Sequence, residues 1–248
     1  MKISIITAVY NRADTIGQAM ESVAQQSHSD VEHLVVDGAS SDGTLQEIRD
    51  RQHAKMRVIS EPDKGIYDAL NKGISAASGE VIGLMHSDDF FAHNEVLAKV
   101  VACFARTGAD AVYGDLDYVS AKDPDQIIRH WRSGDYARQK LARGWMPPHP
   151  ALFVRREVFA QHGDYDTSYQ IAADYDAMLR WLWTGNIRAA YIPEVLVKMR
   201  VGGESNRSLG RILKKSKEDY RALRTNGVGG IGALAWKNVS KIPQFLKK

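Results

Sequence analysis

Short apolar runs alternate with stretches of helical periodicity through the first hundred residues. Ile3-Ser4-Ile5-Ile6-Thr7-Ala8-Val9, His33-Leu34-Val35-Val36, Met56-Arg57-Val58-Ile59 and Val81-Ile82-Gly83-Leu84-Met85 each read as a short buried strand. Between them, apolar residues recur every three or four positions. Ile16, Ala19, Met20 and Val23 form one face, Leu45 and Ile48 a second, and Ile66, Ala69, Leu70, Gly73, Ile74 and Ala77 a third. Asp14 is placed to cap the first of these helices. Strands alternating with helices predict β-α-β units and a parallel sheet.

The second half is less regular. Asn94 is expected to cap a helix through Val96, Leu97, Val100, Val101 and Phe104, and 110–119 reads as another strand. From 123 to 144 the chain is charged and weakly periodic. Trp145-Met146-Pro147-Pro148-His149-Pro150 predicts a rigid turn, because each proline fixes φ and removes a donor. Ala151-Leu152-Phe153-Val154 reads as a strand, and Arg156 opens a short helix ending near Gly163. A last helix of this half bears Tyr175, Met178, Leu179 and Leu182, with Asp174 at its start, where the helix dipole favours a carboxylate. On spacing alone, Asp174 is a plain N-cap.

Four of the predicted strands end in polar clusters, at 7–11, 37–42, 61–65 and 87–89. In an open parallel sheet, ligands bind outside the carboxyl ends of the strands. Asp88 and Asp89 stand side by side at the end of one strand, where they repel each other. A divalent cation bridging them to a phosphorylated ligand would relieve that conflict, and oxygen ligands suit Mg²⁺ or Mn²⁺. Two solvated acids in a loop are the plainer alternative. Neither a G-x-x-x-x-G-K-[ST] phosphate loop nor a G-x-G-x-x-G fingerprint is present, which argues against P-loop NTPases and dinucleotide enzymes.

Composition changes the picture in two places. A hydrophobic share of 44% and a charged share of 25% are those of a globular protein with a core. The single cysteine, Cys103, falls among Val96, Val100 and Phe104 and reads as a buried thiol in a reducing compartment. It excludes an internal disulfide and a cysteine-based zinc site. No signal-peptide pattern and no run of about 18 apolar residues is seen. The net charge of +3 is unevenly spread. From Arg207 onward, eleven Lys/Arg face only Glu218 and Asp219, so that stretch carries +9 and the remainder −6. A basic tail on an acidic body points to an electrostatic partner for the tail.

Taken in order, these clusters resemble the family 2 glycosyltransferases with the GT-A fold, in the bacterial branch that builds surface polysaccharides and glycolipids. The residues that carry the resemblance are 4–11, 35–44 (with Asp37-Gly38-Ala39-Ser40-Ser41-Asp42-Gly43-Thr44), 60–74, Ser87-Asp88-Asp89, Pro148-His149-Pro150 and Ala173-Asp174-Tyr175-Asp176. The resemblance implies an α/β, Rossmann-like, mostly parallel central sheet flanked by helices over 1–206. Within it, 1–120 would form the nucleotide-sugar-binding half and 121–206 the acceptor and catalytic-base half, followed by a basic helical appendage at 207–248. It implies an inverting, metal-dependent transfer of a sugar from a nucleotide-diphospho-sugar to a hydroxyl of a glycan or lipid-linked acceptor. Asp174 would be the catalytic base and Asp89 the ligand of Mn²⁺ or Mg²⁺. Thr7, Ala8, Tyr10, Asp37, Asp68, Asn71 and Asp88 would contact the donor. His149 and Arg200 would face the acceptor or the diphosphate, Arg200 through a closing loop with Gly202, Gly203 and Ser205.

The sequence departs from the family pattern at three positions: Ser87 replaces a first acid, Leu70 an arginine, and Ala173 the acid before the base. The last change leaves Asp174 and Asp176 as rivals; about 200° apart on a helix, they cannot both face one cleft, and Asp174 is preferred. A nucleotidyltransferase and a non-catalytic nucleotide-sugar binder are the alternatives of other classes. Within the tail, 207–226 reads as a basic helix with Leu209, Ile212, Leu213, Ser216 and Tyr220 as a partial apolar stripe. Two readings stay open for it: a segment lying on the anionic inner face of the cell membrane, or a helix packed on the body of a cytoplasmic protein. Nucleic acid is not an expected partner, since no recognition motif accompanies the basic residues.

Overall fold

The computed structural model describes residues 1–201, 209–230 and 232–234. In chain order the elements are β1 (Ile3–Val9), α1 (Ala13–Ala24), β2 (Val31–Asp37), α2 (Thr44–Asp50), β3 (Met56–Ser60), α3 (Ile66–Ala76) and β4 (Val81–Leu84). Then follow β5 (Phe90–Phe91), α4 (Val96–Thr107), β6 (Ala111–Val119), β7 (Ile127–Trp131), α5 (Arg138–Leu141) and a 3₁₀ turn at His149–Ala151. The chain continues through β8 (Leu152–Arg155), α6 (Arg156–His162), α7 (Ala173–Leu179) with a π-helical turn at Arg180–Thr184, β9 (Ala189–Arg200) and α8 (Leu209–Thr225).

One nine-stranded sheet among the described residues runs β3-β2-β1-β4-β8-β6-β9-β5, with β7 on β6. β1, β2, β3 and β4 are parallel, as the strand–helix alternation predicts. Beyond β4 the sheet turns mixed: β8 is antiparallel to both β4 and β6, while β9 is parallel to β6. The consecutive parallel strands of the expected mostly parallel sheet thus lie in the first half. The chain builds outward from β1 to β3 and then returns to the other side of β1 as β4. That reversal opens a crevice at the carboxyl ends of β1 and β4.

β1 is buried along its whole length, and its alternate residues serve two cores. Ile6 and Ala8 join Leu34, Leu70, Tyr113 and Trp181 on one face of the sheet. Ile3 and Ile5 join Val100, Phe104 and Phe153 on the other. Cys103 is buried in the second core, as its spacing predicts.

Three strands escape the sequence reading, and β9 shows why. Pro193 lies inside it and removes a ladder donor, which argues against a central strand. The fold absorbs the proline as an irregularity: the β6–β9 register slips between Tyr113 and Asp115, opposite Tyr191 and Val195. Two helix starts also differ. Asp14 lies within the first turn of α1, and the cap position is Arg12. The carboxylate that serves this terminus is distant in sequence, because Asp42 accepts from the N–H groups of both Ala13 (3.3 Å) and Thr44 (2.9 Å). In α4 the cap position is Glu95, one residue after Asn94.

The basic helix α8 packs on α7, and Ala222 and Leu223 are fully buried in the larger core. Of the expected apolar stripe, Leu213 is 65% and Tyr220 36% exposed, whereas Asp219, Ala222 and Leu223 are buried. Of the two readings of this stretch, contact with the body is seen at Ala222 and Leu223. Residues 235–248, including Trp236 and the last lysines, lie outside the described residues. Glu218 makes the most consequential contact. Its carboxylate accepts from the backbone N–H groups of Gln170 (3.1 Å), Ile171 (2.8 Å) and Ala172 (3.0 Å). These donors belong to the start of α7, which has no side-chain cap at its own cap residue, Ala172. Removing the carboxylate orphans them, so Glu218→Ala should cost about 2 kcal/mol. That corresponds to about 4–8 °C in thermal midpoint for a chain of this size. Glu218→Gln, which keeps one acceptor oxygen, should lose less in a thermal melt.

Candidate active site

The crevice at the carboxyl ends of β1 and β4 is a cavity of about 930 Å³. Ala8, Tyr10, Asn11 and Arg12 come from the end of β1, and His86, Ser87, Asp88 and Asp89 from the end of β4. Asp63, Ile66 and Tyr67 come from the start of α3 and the loop before it. His149, Gln170, Ile171 and Asp174 close the opposite side, with Arg200 at the end of β9. That volume lies in the upper half of the usual range of ligand clefts.

Asp89 is 1% exposed. Burial, and then the neighbouring charge of Asp88, push its carboxyl well above the usual carboxylate range. The backbone N–H of Arg200 donates to its Oδ1 at 3.1 Å. The Arg200 guanidinium donates to the Asp88 carbonyl and to Gln18 Oε1 and lies over the Phe90 ring. Arg200 thus braces the turn that carries both acids. Among the described residues no three potential ligands converge on one point. A buried carboxylate crowded by a second one is still a fit for Mn²⁺ or Mg²⁺, since such ions take one or two carboxylates and complete their shell with phosphate oxygens and water.

Asp174, in the first turn of α7, has a 24% exposed side chain that faces the cavity. The Tyr67 hydroxyl donates to the Ile171 carbonyl at 2.7 Å and lies 3.3 Å from Asp174 Oδ1. Burial and the adjacent Asp174 charge hold Tyr67 well above the usual phenol range, so it stays a donor. Asp174 Oδ2 lies 3.9 Å from His149 Nδ1, and His149 Nε2 lies 3.0 Å from the Tyr165 hydroxyl. His86 is tilted against His149, with ring centroids 5.7 Å apart. Asp174 is not a cap: that position is Ala172, and Glu218 does the capping. Its rival Asp176 is 2% exposed and occupied, accepting from Arg180 Nε (2.9 Å) and Asn226 Nδ2 (2.9 Å).

Ala8, Tyr10, Asp88, Asp89, His149, Asp174 and Arg200 therefore line one cavity. Four donor candidates have their side chains engaged elsewhere. Thr7 is fully buried with its hydroxyl 2.9 Å from His33 Nε2. Asp37 is fully buried, accepting from Ser60 Oγ (2.7 Å) and the Ser40 N–H (3.2 Å). Asp68 accepts from the Lys64 N–H at 3.0 Å. Asn71 exchanges two hydrogen bonds with the backbone of Tyr165. All four side chains thus have partners within the chain. The loop at 202–208 lies outside the described residues.

Sequence reasoning missed Asp63, Tyr67, Arg129, Arg211 and Lys215 as lining residues. Gly38 holds the clue to Asp63: a Cβ there would come within 2.3 Å of the Asp63 carboxylate and 3.4 Å of the Tyr10 ring. The D-G pair ending β2 is thus needed for close approach. Arg129, stacked on Tyr118 at 3.9 Å, sits on β7 in the stretch that lacks periodicity.

Residues 4–163 match Glycosyl transferase family 2. An uncharacterised glycosyltransferase of Mycobacterium tuberculosis is 32% identical over 188 residues, covering 72% of this chain and 68% of the relative. A PGL/p-HBAD biosynthesis glycosyltransferase of the same organism is 29% identical over 208 residues, covering 82% and 78%. Among solved structures, S. aureus TarS 1–349 in complex with UDP-GlcNAc superposes with a TM-score of 0.71 at 20% identity. That match covers 92% of this chain and 66% of TarS 1–349, just under two thirds. The chain belongs to glycosyltransferase family 2 and has the GT-A fold.

Buried histidines give this architecture a pH signature. Burial holds His33 down to about 3 and His149 down to about 4, against an ordinary value of 6.5. Between those values and 6.5 the unfolded chain binds protons that the fold refuses, so both groups make stability fall as pH drops through that window. Asp89, held high, acts in the opposite direction, so the test is a difference between chains. From pH 6.5 to 4, His33→Gln should remove a slope of about 1.4 kcal/mol per pH unit in denaturant titrations. Parallel curves for the two chains would refute this.

Proposed function

We propose that the chain transfers a sugar, with inversion, from a nucleoside-diphosphate sugar to a hydroxyl of a glycan or lipid-linked acceptor in surface polysaccharide or glycolipid synthesis. The observation that carries this reading is the meeting, in one cavity, of a buried carboxylate pair and a separately held, partly exposed carboxylate. The TarS neighbour binds UDP-GlcNAc and a mannosyltransferase from Pyrobaculum calidifontis, at a TM-score of 0.68 and 19% identity, binds GDP-Man and Mn²⁺. Both support a donor of this class.

In this reading Ala8, Tyr10 and Asp63 line the nucleotide side, backed by Thr7 and Asp37, with Asp68 and Asn71 bracing α3. Asp89, assisted by Asp88, would hold Mn²⁺ or Mg²⁺, which would supply Lewis-acid stabilisation for the charge on the leaving diphosphate. Asp174 takes the proton from the attacking hydroxyl. Tyr67 orients Oδ1, leaving Oδ2 for the substrate beside neutral His149. One base and one in-line displacement invert the anomeric centre and need no covalent intermediate. Ile66 (44% exposed), Ile128 (53%) and Val201 (37%) line the cavity and present apolar surface at its opening, which favours a lipid-linked acceptor. No helix of the described residues is long and apolar enough to cross a membrane. We place the reaction at the inner face of the cell membrane, approached from the cytoplasm.

Incubation with UDP- and GDP-sugars plus Mn²⁺, read as nucleotide release and as anomeric configuration by NMR, tests the whole. Asp89→Ala should abolish the Mn²⁺-dependent part of nucleotide binding in calorimetry; equal affinity with and without Mn²⁺ in the wild type would sink the metal assignment. Asp174→Asn should lower kcat by about 10²- to 10⁴-fold. Its nucleotide affinity should stay intact, and full activity in this variant would mean that another group is the base.

A further inference from the structure

The cavity receives two cations that the proposed reaction does not use. Arg211 and Lys215 line it from α8, one helical turn apart and therefore on one face of the helix. They reach it beside Gln170 and Ile171, the residues that lead into Asp174, and Glu218 of the same helix binds the N–H groups of both. Asp88, Asp89 and Arg200 come instead from the ends of β4 and β9. The cation pair thus enters with the element that holds the base.

The charge of α8 is sorted by direction. Its two acids are turned inward, Glu218 onto the start of α7 and Asp219 into a buried position. Lys214 donates to Gln170 Oε1, and Arg221 donates to Ser168 Oγ at 2.8 Å and lies over the Tyr169 ring. What α8 shows the cavity is positive. A neutral acceptor hydroxyl gains nothing from two cations one turn apart. A phosphate gains charge-assisted hydrogen bonds from both, with the arginine fork matched to its oxygens.

We propose that Arg211 and Lys215 form a phosphate subsite on the acceptor side of the cavity, so that the acceptor is a phosphate-bearing molecule. This rests on the transfer reading given above and narrows its acceptor. The phosphate belongs either to a soluble phosphorylated glycan or polyol or to a lipid headgroup, and both present the same chemistry to the pair.

The test compares the full chain with Arg211→Ala/Lys215→Ala, each alone and loaded with Mn²⁺ and UDP or GDP. Glycerol 3-phosphate, with glycerol as neutral control, is titrated by calorimetry, and vesicles of phosphatidylglycerol or phosphatidylcholine are co-sedimented. The wild type should take up glycerol 3-phosphate or phosphatidylglycerol vesicles while loaded, and the variant should bind about tenfold or more weakly. Its nucleotide affinity should stay the same. Uptake of the soluble probe identifies a soluble acceptor, and uptake of vesicles alone a lipid one. If the variant loses nucleotide affinity and the loaded wild type takes up neither probe, the cations serve the donor diphosphate and the proposal falls. Probe binding that is equal in both chains overturns it too. A thermal melt, with Arg211→Gln/Lys215→Gln as a second variant, separates lost binding from lost folding. A wild type that binds no nucleotide would overturn the donor assignment alone, because the unloaded titrations still decide for Arg211 and Lys215.

Discussion

A carboxylate buried beside a second carboxylate is the constraint on which this structure turns. Asp89 cannot be ionised there cheaply, and among the described residues one backbone donor reaches it, from Arg200. Apolar packing cannot compensate such a pair, so its position must be fixed by other means. The strand reversal at β1 provides the crevice, β9 brings Arg200 across the sheet, and the guanidinium ties the Asp88 carbonyl to Gln18 of α1. Three elements distant in sequence are spent on holding one turn. That investment is what separates this pair from two solvated acids in a loop.

The opposite wall is built on a different principle. α7 is only seven residues long and has no cap of its own. A short helix of this kind is marginal unless tertiary contacts hold it. α8 supplies them through Glu218 at its start, Asn226 on Asp176 and the buried Ala222 and Leu223. The orientation of Asp174 therefore depends on a helix thirty-five or more residues downstream. A chain ending at Asn206 would lose these contacts along with the basic charge, so truncation there cannot isolate the role of the charge.

The first half of the fold was legible because its physics is local. Buried parallel strands read as continuous apolar runs, and amphipathic helices between them leave a periodic trace, so β1 to β4 and α1 to α3 follow from pattern. The second half depends on pairings that leave weak local marks. β9 hides a proline in a register slip, β5 has two residues, and β7 is an edge with Ile127 and Ile128 exposed. The candidate site was legible by cluster and not by role. Position at a strand end told that Thr7 and Asp37 lie near the crevice. Which way each side chain turns was decided by partners such as His33 and Ser60, far along the chain.

The acids of this protein illustrate how such roles divide. Asp42 bridges the starts of two helices, Asp37 gathers a hydroxyl and an N–H at the end of β2, and Asp176 is closed by Arg180 and Asn226. Each has a donor of the chain on both of its carboxylate oxygens. Asp174 differs: among the described residues its Oδ1 has one donor, at 3.3 Å, and its Oδ2 has His149 at 3.9 Å. A carboxylate oxygen that the fold orients without saturating is the one that can accept a proton from something else. The same reasoning separates Asp174 from Asp176 without reference to motif position. It is a criterion of close donors already in place, which a sequence cannot display, because those of Asp176 arrive from four and fifty residues away.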